Sequence, residues 1–139
     1  MDNTFLTEIL TPERIFFSGQ VKSITVEALD GRLTVLANHI PMVCSLSVGQ
    51  LIIETEDCTK TAFHSKGYLD VTRAYTVMLC QTCEWPDEID EQRAEQAAQR
   101  AQERILQENR AEEIGHSKLA LLRAISRLRV KEHNSDHRK

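Results

Sequence analysis

The sequence has no apolar stretch that could cross a membrane as a helix. Its longest uncharged apolar runs fall far short of the roughly 18 residues that a bilayer requires. The N-terminus, "MDNTFLTEILTPER", carries acid near its start and lacks the central apolar region of a signal peptide. We therefore expect a soluble, cytoplasmic protein that depends on another molecule for any attachment to a membrane.

Motifs that mark stand-alone catalysis are also missing. The chain has no G-x-S-x-G, G-x-x-x-x-G-K-[ST], H-E-x-x-H or dinucleotide glycine fingerprint. Ser45, Ser65, His39 and His64 have no spacing that would pair a nucleophile with a base. The formal net charge is −4, and no RNA-binding motif with interleaved aromatic residues occurs, so no nucleic-acid partner is expected. These absences argue against an enzyme with a catalytic site of its own.

The cysteines do not form a complete metal-binding pattern. Cys80 and Cys83 make one C-x-x-C pair, but Cys44 and Cys58 are 14 positions apart and no pair of histidines lies nearby. The C-x-x-C segment resembles the end of a strand, where side chains three positions apart face opposite sides. The sequence predicts reduced, structural cysteines and no metal site, with metal or redox use as the alternative.

Aromatic residues are few, and none follows Trp85. The one Trp, two Tyr and four Phe all precede Pro86, in a region where short β-branched runs alternate with turn signals. Asp30-Gly31, between "VKSITVEA" and "RLTVLA", is a strong hairpin signal because glycine tolerates positive φ. The many short strands predict an antiparallel β-sandwich, or flattened barrel, over residues 1–85.

From Pro86 onward the sequence has the pattern of helices. Proline restricts the residue before it to extended geometry and so closes the β region. Asp87 or Asp90 can cap a first helix. Small residues then recur at three- and four-residue steps and predict close packing along a narrow stripe. The stripe is mostly alanine and consists of Ala94, Ala97, Ala98, Ala101 and Ile105.

A second helix is predicted over roughly 117–131, with Gly115 as the turn before it. The polar tail "EHNSDHRK" is expected to fray, and its His133 and His137 to be solvated. Residues 86–139 are thus predicted to form an antiparallel two-helix hairpin. A hairpin of this size is marginally stable alone and must pack on the sandwich or on another protein.

The two halves of this hairpin carry opposite charge. Residues 86–113 contain nine acidic and four basic side chains, a net charge of −5. Residues 114–139 contain two acidic and seven basic side chains, a net charge of +5. Either the two helices simply attract each other, or the basic helix also meets an acidic partner outside this chain.

The segments "ILTPERIFFSGQVKSITVEALDGRLTVLANHIPMV", "SKGYLDV" and "EIDEQRA" occur in an order and spacing that resemble the epsilon subunits of bacterial F-type ATP synthase. The resemblance covers residues 5–130. It implies a non-catalytic central-stalk subunit, peripheral at the cytoplasmic face of the bacterial cell membrane. Its sandwich would dock on the rotor, binding the gamma subunit and the c-subunit ring during coupled ion transport. Its helical arm would restrain ATP hydrolysis by the alpha and beta subunits.

The resemblance also implies roles for particular residues of the sandwich. In "ANHIPMV", His39 and Pro41 match a Gly-His-x-Pro turn that faces the c ring in this family, and Asn38 replaces the glycine. Arg32 stands where an acidic residue is common. The implied c-ring-facing loop comprises Arg32, His39, Pro41 and Met42.

Further implied roles concern the arm. The chain carries the complete [I/L]-D-x-x-R-A motif with which some members bind regulatory ATP, and no cofactor is required. The implied ATP-binding residues are Glu84, Ile89, Asp90, Arg93, Ala94, Arg123 and Arg127. The implied inhibitory residues are Arg123, Arg127 and Arg129. On chemistry alone, Asp90 is equally a helix cap and Arg93 an ordinary solvated helix residue.

Two other functions remain open from the sequence. A free-standing ATP-sensing module would carry the same arm but would not copurify with gamma and the catalytic subunits. A small hydrolase of unrecognised type would show turnover as the isolated protein.

Overall fold

The computed structural model of the chain describes residues 3–108 and 110–137, and residues 133–137 as helical backbone only. Ten strands precede two helices. The strands are β1 (Phe5–Leu10), β2 (Ile15–Val21), β3 (Ser23–Ala28), β4 (Gly31–Leu36), β5 (Met42–Leu46), β6 (Gly49–Glu54), β7 (Thr59–His64), β8 (Gly67–Val71), β9 (Tyr75–Cys80) and β10 (Cys83–Glu84). A 3₁₀ turn, Pro86–Glu88, leads to α1 (Glu91–Gln107) and α2 (Ala111–His137).

The strands form one sheet that curls on itself around a single core. Their order is β10-β7-β6-β3-β5-β8-β9-β1-β2, and β4 pairs only with β3. Alternate side chains point inward, as in β1, where Phe5, Thr7 and Ile9 are buried. The predicted fold class, a β-sandwich or flattened barrel followed by a two-helix hairpin, is confirmed.

One strand pair departs from the antiparallel pattern. β1 runs parallel to β9, with Thr7 opposite Thr76. Parallel neighbours need a long connection, and nearly the whole sandwich lies between these two strands in sequence. Because this pairing depends on residues about seventy positions apart, the short-range strand pattern could not predict it.

The region around β2 is joined to residues 83–88, where the sandwich ends, by side-chain contacts rather than by β-sheet hydrogen bonds. Phe16 of β2 stacks on Trp85 with ring centroids 4.2 Å apart. Arg14 Nη2 donates to Glu88 Oε1 at 2.7 Å and to the Cys83 carbonyl at 3.3 Å. The hydrogen bond from Arg14 lowers the pKa of Glu88, whose carboxylate also accepts from the Trp85 backbone N–H at 2.9 Å. The 3₁₀ turn is therefore fixed to the sandwich.

The predicted β3–β4 hairpin is confirmed. Leu29 and Asp30 form its two-residue loop, and Gly31 begins β4 at φ 128°. Asn38, which stands where the resemblance expects glycine, has φ 65°. Asparagine is one of the few other residues that adopt this left-handed conformation readily, so the turn is kept.

Of the two residues predicted as the cap of the first helix, Asp87 and Asp90, the structure uses Asp90. Asp90 caps α1, because its Oδ1 accepts from the Arg93 backbone N–H at 3.1 Å. Ala94 and Ala101 are buried at the contact with α2, which confirms close packing along the alanine stripe. Neither of the helices in the described part of the chain is long and apolar enough to span a membrane.

The predicted limits of the second helix are wrong. α1 ends at Gln107 and α2 begins at Ala111, so Gly115 lies inside α2 rather than at the turn. Glu112 and Glu113 occupy the first turn of α2, where their negative charges interact favourably with the positive end of the helix dipole. A mid-helix glycine costs about 1 kcal/mol relative to alanine, which a helix packed on its neighbours can absorb. Helical backbone extends to His137, so the expected fraying of the tail is not found there. The side chains of His133 and His137 lie outside the description.

Cys80 and Cys83 are both buried in the sandwich core, so the expectation that they face opposite sides is wrong. The reason is that β9 ends at Cys80 and β10 begins at Cys83, so no continuous strand connects them. A hydrogen bond to Cys83, together with burial, raises the pKa of the Cys80 thiol. Such a thiol is held protonated and structural.

Candidate functional site

The helical hairpin is folded down on the sandwich, with α2 against β6 and β7. Val130 of α2 is fully buried. It packs in a small apolar cluster with Val48, Phe63 and Ile89, separate from the sandwich core. Burial of one aliphatic side chain of this kind contributes about 1.5–3 kcal/mol. Among the described side chains of α2, Val130 and the partly buried Leu119 belong to this cluster.

Polar contacts surround this cluster. Arg127 Nε donates to Glu84 Oε1 at 2.7 Å, and we call this ion pair the latch. The Arg127 guanidinium carbon also lies 4.4 Å from the centroid of the Phe63 ring, within cation–π range. One turn further along α2, Lys131 Nζ donates to the Pro86 carbonyl at 2.9 Å. These contacts join the basic helix to the end of the sandwich.

The [I/L]-D-x-x-R-A motif lies at the start of α1. Asp90 is the N-cap, and the side chains of Asp90 and Arg93 are exposed. Ile89 is buried in the apolar cluster, and Ala94 is buried on α1. Two residues of the motif thus position the helix, while the other two present polar groups on its surface.

Two open spaces follow the surface of α1. The first, which we call the α1 groove, measures about 500 Å³; it is lined by Asp90, Gln92, Arg93, Gln96 and Arg100. The second, the interhelical cavity, measures about 520 Å³; it is lined by Arg100, Arg104, His116 and Arg123 and by the small residues Ala97, Ala101, Ser117 and Ala120. Because Arg100 lines both, the two spaces adjoin.

Among the described residues, no carboxylate lies within ion-pair distance of the arginines of these two spaces. Carboxylates within 4.0 Å are found instead at Arg14, Arg32, Arg110 and Arg127 among the described residues. The arginines of the groove and cavity are Arg93, Arg100, Arg104 and Arg123. Four like charges gathered without counter-ions repel one another, and an anion placed among them would relieve that repulsion.

The seven residues implied as an ATP site do not line one cavity. Asp90 and Arg93 lie in the α1 groove, Arg123 lies in the interhelical cavity, and Glu84 and Arg127 are paired with each other in the latch. The two buried motif residues line neither space. The grouping of the seven as a site stays a prediction.

Three of the basic residues that line these spaces were not singled out from the sequence: Arg100, Arg104 and His116. A signal for two of them was present, because Arg93, Arg100 and Arg104 follow one another at steps of seven and four on one face of α1. His116 gave no signal, because it was assigned to the turn and lies instead in the second turn of α2.

The implied inhibitory residues have three different environments. Arg123 lines the interhelical cavity and Arg127 belongs to the latch, whereas Arg129 is exposed. In the folded-down hairpin, Arg127 is therefore paired and Arg123 faces the cavity between the helices, so neither lies on the free surface as Arg129 does.

The residues of the implied c-ring-facing loop lie at the two ends of β4. Arg32, near the hairpin turn, donates from Nε to Glu27 Oε1 at 3.2 Å. His39 and Pro41 follow the other end, and Met42 begins β5. They do not share one loop. β4 has β3 as its strand partner, so its free edge runs between the two ends. Leu36 and Ile40 are exposed along this stretch.

An open cavity of about 740 Å³ lies on the sandwich, lined by residues of its strands and their connections. Its lining includes the exposed apolar side chains of Leu29, Tyr68 and Leu79. Exposed apolar side chains gathered around one cavity can serve as a contact for another protein.

Comparison with known families accounts for both parts of the fold. The family model "ATP synthase, Delta/Epsilon chain, beta-sandwich domain" matches residues 4–86. The model "ATP synthase, Delta/Epsilon chain, long alpha-helix domain" matches residues 87–132. This chain belongs to the ATP synthase delta/epsilon family. The predicted resemblance is confirmed.

Individual relatives agree with this family. The ATP synthase epsilon chain of Clostridium novyi is 38% identical over 131 residues, covering 94% of this chain and 99% of the relative. That of Caldicellulosiruptor saccharolyticus is 40% identical over 126 residues, covering 91% and 92%. A chain in the Euglena gracilis mitochondrial ATP synthase, solved as OSCP/F1/c-ring in rotational state 1, matches with a TM-score of 0.81. Identity to that chain is 20%, with coverage of 91% of this chain and 80% of that one, so this match concerns the fold.

Proposed function

We propose that this epsilon-family chain is a non-catalytic rotor subunit of the ATP synthase central stalk. In this role its sandwich binds the gamma subunit and the c-subunit ring and helps to couple ion flow to ATP synthesis. The chain is then a peripheral protein at the cytoplasmic face of the bacterial cell membrane. Its family membership, together with two exposed apolar surfaces on the sandwich, supports this role.

The two surfaces suit two different neighbours. The β4 edge, bounded by Arg32 and His39, combines the free edge of a strand that pairs with β3 on its other side with exposed Leu36 and Ile40, and we assign it to the c ring. The apolar cavity at Tyr68 and Leu79 is assigned to gamma. Because Arg32 forms an ion pair with Glu27, part of the positive charge of Arg32 is already balanced within the chain before any contact with the ring.

The arm is proposed to inhibit ATP hydrolysis by the alpha and beta subunits when it leaves the sandwich. The observation that carries this proposal is the small, mixed contact that holds α2 down: one apolar cluster, the latch and one lysine–carbonyl bond. A contact of this size can open without unfolding the sandwich core, because the two apolar clusters are separate. The released helix would present its basic residues to an acidic surface.

Regulatory ATP is proposed as a ligand of the arm in its folded-down state. Its support is the α1 groove, where the acceptor Asp90 lies beside the unpaired cations Arg93 and Arg100. A carboxylate can accept from an adenine amino group, and arginine offers forked donors to phosphate. Since α2 completes the adjoining cavity, ATP would bind the folded-down arm in preference and shift the population toward it.

The test measures hydrolysis by the complex assembled with full-length chain. Glu84→Gln removes one charge of the latch, so the arm should leave more often and hydrolysis should fall. Glu95→Gln, an exposed charge change on α1, is the matched control and should leave hydrolysis as it is. Hydrolysis that is equal in both variants, at full subunit content, would contradict inhibition by the released arm.

A further inference from the structure

His64 is a buried histidine whose two ring nitrogens both have backbone partners. The residue is fully buried. Its Nδ1 lies 3.0 Å from the Ser65 carbonyl oxygen, and its Nε2 lies 3.1 Å from the Glu27 backbone nitrogen. A carbonyl oxygen can only accept, so Nδ1 carries the proton and donates it, and Nε2 accepts from the Glu27 N–H. These two bonds hold His64 as a neutral imidazole.

The strand positions around His64 carry the platform on which the arm rests. In register, His64 lies opposite Gly49 of β6 and opposite Cys83 of β10. Each of these three positions has a neighbour in sequence that belongs to the platform, and the platform residues are Val48, Phe63 and Glu84. The first two belong to the apolar cluster that contains Val130, and the third holds Arg127 in the latch. Because successive side chains of a strand point to opposite faces, the imidazole lies on the far side of β7 from the Phe63 ring.

The hydrogen bond from Glu27 to His64 joins two strands that are not neighbours. In the sheet, β6 lies between β3 and β7. The bond passes β6 at Gly49, which has no side chain of its own and over which the Glu27 side chain lies. One imidazole therefore connects β7 to β3 across β6, directly under the platform.

A second proton on the imidazole is incompatible with this arrangement. Nε2 would carry it, so its N–H and the Glu27 N–H would face each other as two donors and the hydrogen bond would be lost. Burial also lowers the pKa of His64, because a charge is disfavoured away from water. The protonated ring is therefore accommodated where water reaches it, in a form in which the strands around His64 have opened.

The charged and titratable groups of the surrounding elements do not offset this cost. They are Glu27 of β3, Lys66 after β7, Cys83 and Glu84 of β10, and Arg127 and Lys131 of α2. The Glu27 carboxylate attracts a proton on His64, but it already forms an ion pair with Arg32. Glu84 is likewise paired with Arg127. Among these described groups, a charged imidazole finds no carboxylate that is free of an arginine.

The edge strand β10 is the part of this region that opens most easily. It has two residues, lies at the end of the sheet and has β7 as its strand partner. A short pairing at a sheet edge opens at a lower free energy than the core strands do. Because β10 carries Glu84, its opening also breaks the latch.

We propose that His64 makes the docking of the arm sensitive to pH: protonation of its imidazole favours the opened form of β7 and β10 and so releases α2 from the sandwich. This role rests on the proposed release of the arm and names the signal that promotes it. The opened form binds a proton that the docked form does not, so its population rises as pH falls through about 6.5. Acid then restrains ATP hydrolysis, because more chains carry a released arm.

The experiment is hydrogen exchange of the isolated full-length chain at pH 7.5, 6.5 and 5.5, followed by mass spectrometry. The intrinsic exchange rate at each pH, divided by the observed rate, gives a protection factor for each peptide. One proton taken up on opening changes the population about tenfold per pH unit below the pKa of the opened form. We therefore expect the protection of α2 to fall about tenfold between pH 7.5 and 5.5, and that of β10 to fall with it.

Two variants remove the titration, His64→Gln and His64→Asn. Both side chains stay neutral and carry an amide oxygen that can accept from the Glu27 N–H. Two are needed because a substitution in a packed core can prevent folding, and the protection of β1 and β9 shows which variant folds. His39→Gln is the matched control, because His39 lies in the turn after β4, outside the platform, and the isolated chain meets no c ring. The fall in α2 protection should be less than about twofold in the His64 variants and about tenfold in the control.

The outcomes separate the role of His64 from the release of the arm. Protection of α2 that stays constant between pH 7.5 and 5.5 in the wild-type chain overturns this role and leaves arm release standing. A fall that persists in a folded His64 variant, or that β10 does not share, also overturns it. If α2 exchanges only at the protection of β1 and β9, the arm does not leave an intact sandwich. The proposed release of the arm then fails together with its pH dependence.

Discussion

The latch between Glu84 and Arg127 makes a quantitative prediction about arm release. Its two side chains are 22% and 31% exposed, and the bond length is 2.7 Å, so both groups are largely withdrawn from water. Hydrogen bonds to charged groups contribute about 1.5–3 kcal/mol, whereas fully exposed pairs contribute about 1 kcal/mol or less. We take about 1.5 kcal/mol for this partly shielded pair. Glu84→Gln should then raise the population of the released arm roughly tenfold.

Replacing the partner should cost more. Arg127 also lies over the Phe63 ring, and such cation–π contacts contribute about 0.5–1 kcal/mol or more. Arg127→Gln therefore loses both the ion pair and the ring contact. We expect its effect on arm release to exceed that of Glu84→Gln by several-fold.

The assay is hydrogen exchange of α2 amides in the isolated full-length chain, followed by mass spectrometry. Exchange through arm opening reports the free energy that holds the hairpin down. Comparison of the two single variants with the double variant isolates the coupling between Glu84 and Arg127. Amides of β1 and β9, far from the hairpin, serve as the internal control for global unfolding.

The coupling decides whether the reasoning holds. We expect about 1–2 kcal/mol, because two partly buried groups in direct contact do not act independently. Additive effects of the two substitutions, within about 0.3 kcal/mol, would refute the latch as an energetic contact. Faster exchange of β1 and β9 would show instead that the substitution unfolds the sandwich.

Three further predictions concern other parts of the chain. Deletion of residues 91–139 should leave a folded sandwich that assembles with gamma, because the 3₁₀ turn and its contacts remain; loss of cooperative unfolding or of gamma binding would contradict it. Arg129→Ala should raise ATP hydrolysis by the assembled complex without changing arm release in hydrogen exchange, because Arg129 is exposed and outside the latch. His64 is fully buried and its Nε2 accepts from the Glu27 backbone N–H at 3.1 Å, and burial lowers its pKa below 6.5. The unfolded chain therefore binds a proton that the folded chain does not, so the free energy of unfolding should fall as pH falls below about 6.5. Urea unfolding between pH 7.5 and 5.5 should show this decrease in the free energy of unfolding. The dependence on pH should be weaker in His64→Gln.

Local features of the fold could be read from the sequence because their causes lie within a few residues. The β3–β4 hairpin needs only the two-residue loop Leu29-Asp30, with Gly31 beginning the second strand. Asp90 caps α1 through a backbone N–H three positions away. The alanine stripe follows from the helical period alone. The wrong limits of α2 show the reverse case, because packing along the whole helix outweighed the local preference of Gly115.

The candidate site depends on residues that only the tertiary structure brings together. Glu84 and Arg127 are 43 positions apart, and each alone is an ordinary charged residue. Arg104 and His116 belong to different helices and share a cavity only because the hairpin closes.

Hydrophobic period, turn residues and caps act locally, so the amino-acid order was enough to predict a strand-rich part, a helical part and a joint between them at Pro86. It also carried enough matched segments to indicate the family. The tertiary structure decided which of its many charges are paired and which are not. That outcome depends on distances of a few ångströms between groups far apart in the chain, and no sequence pattern specifies such distances. For this reason the latch and the unpaired cations of the cavity emerged only from the folded arrangement of the arm on the sandwich.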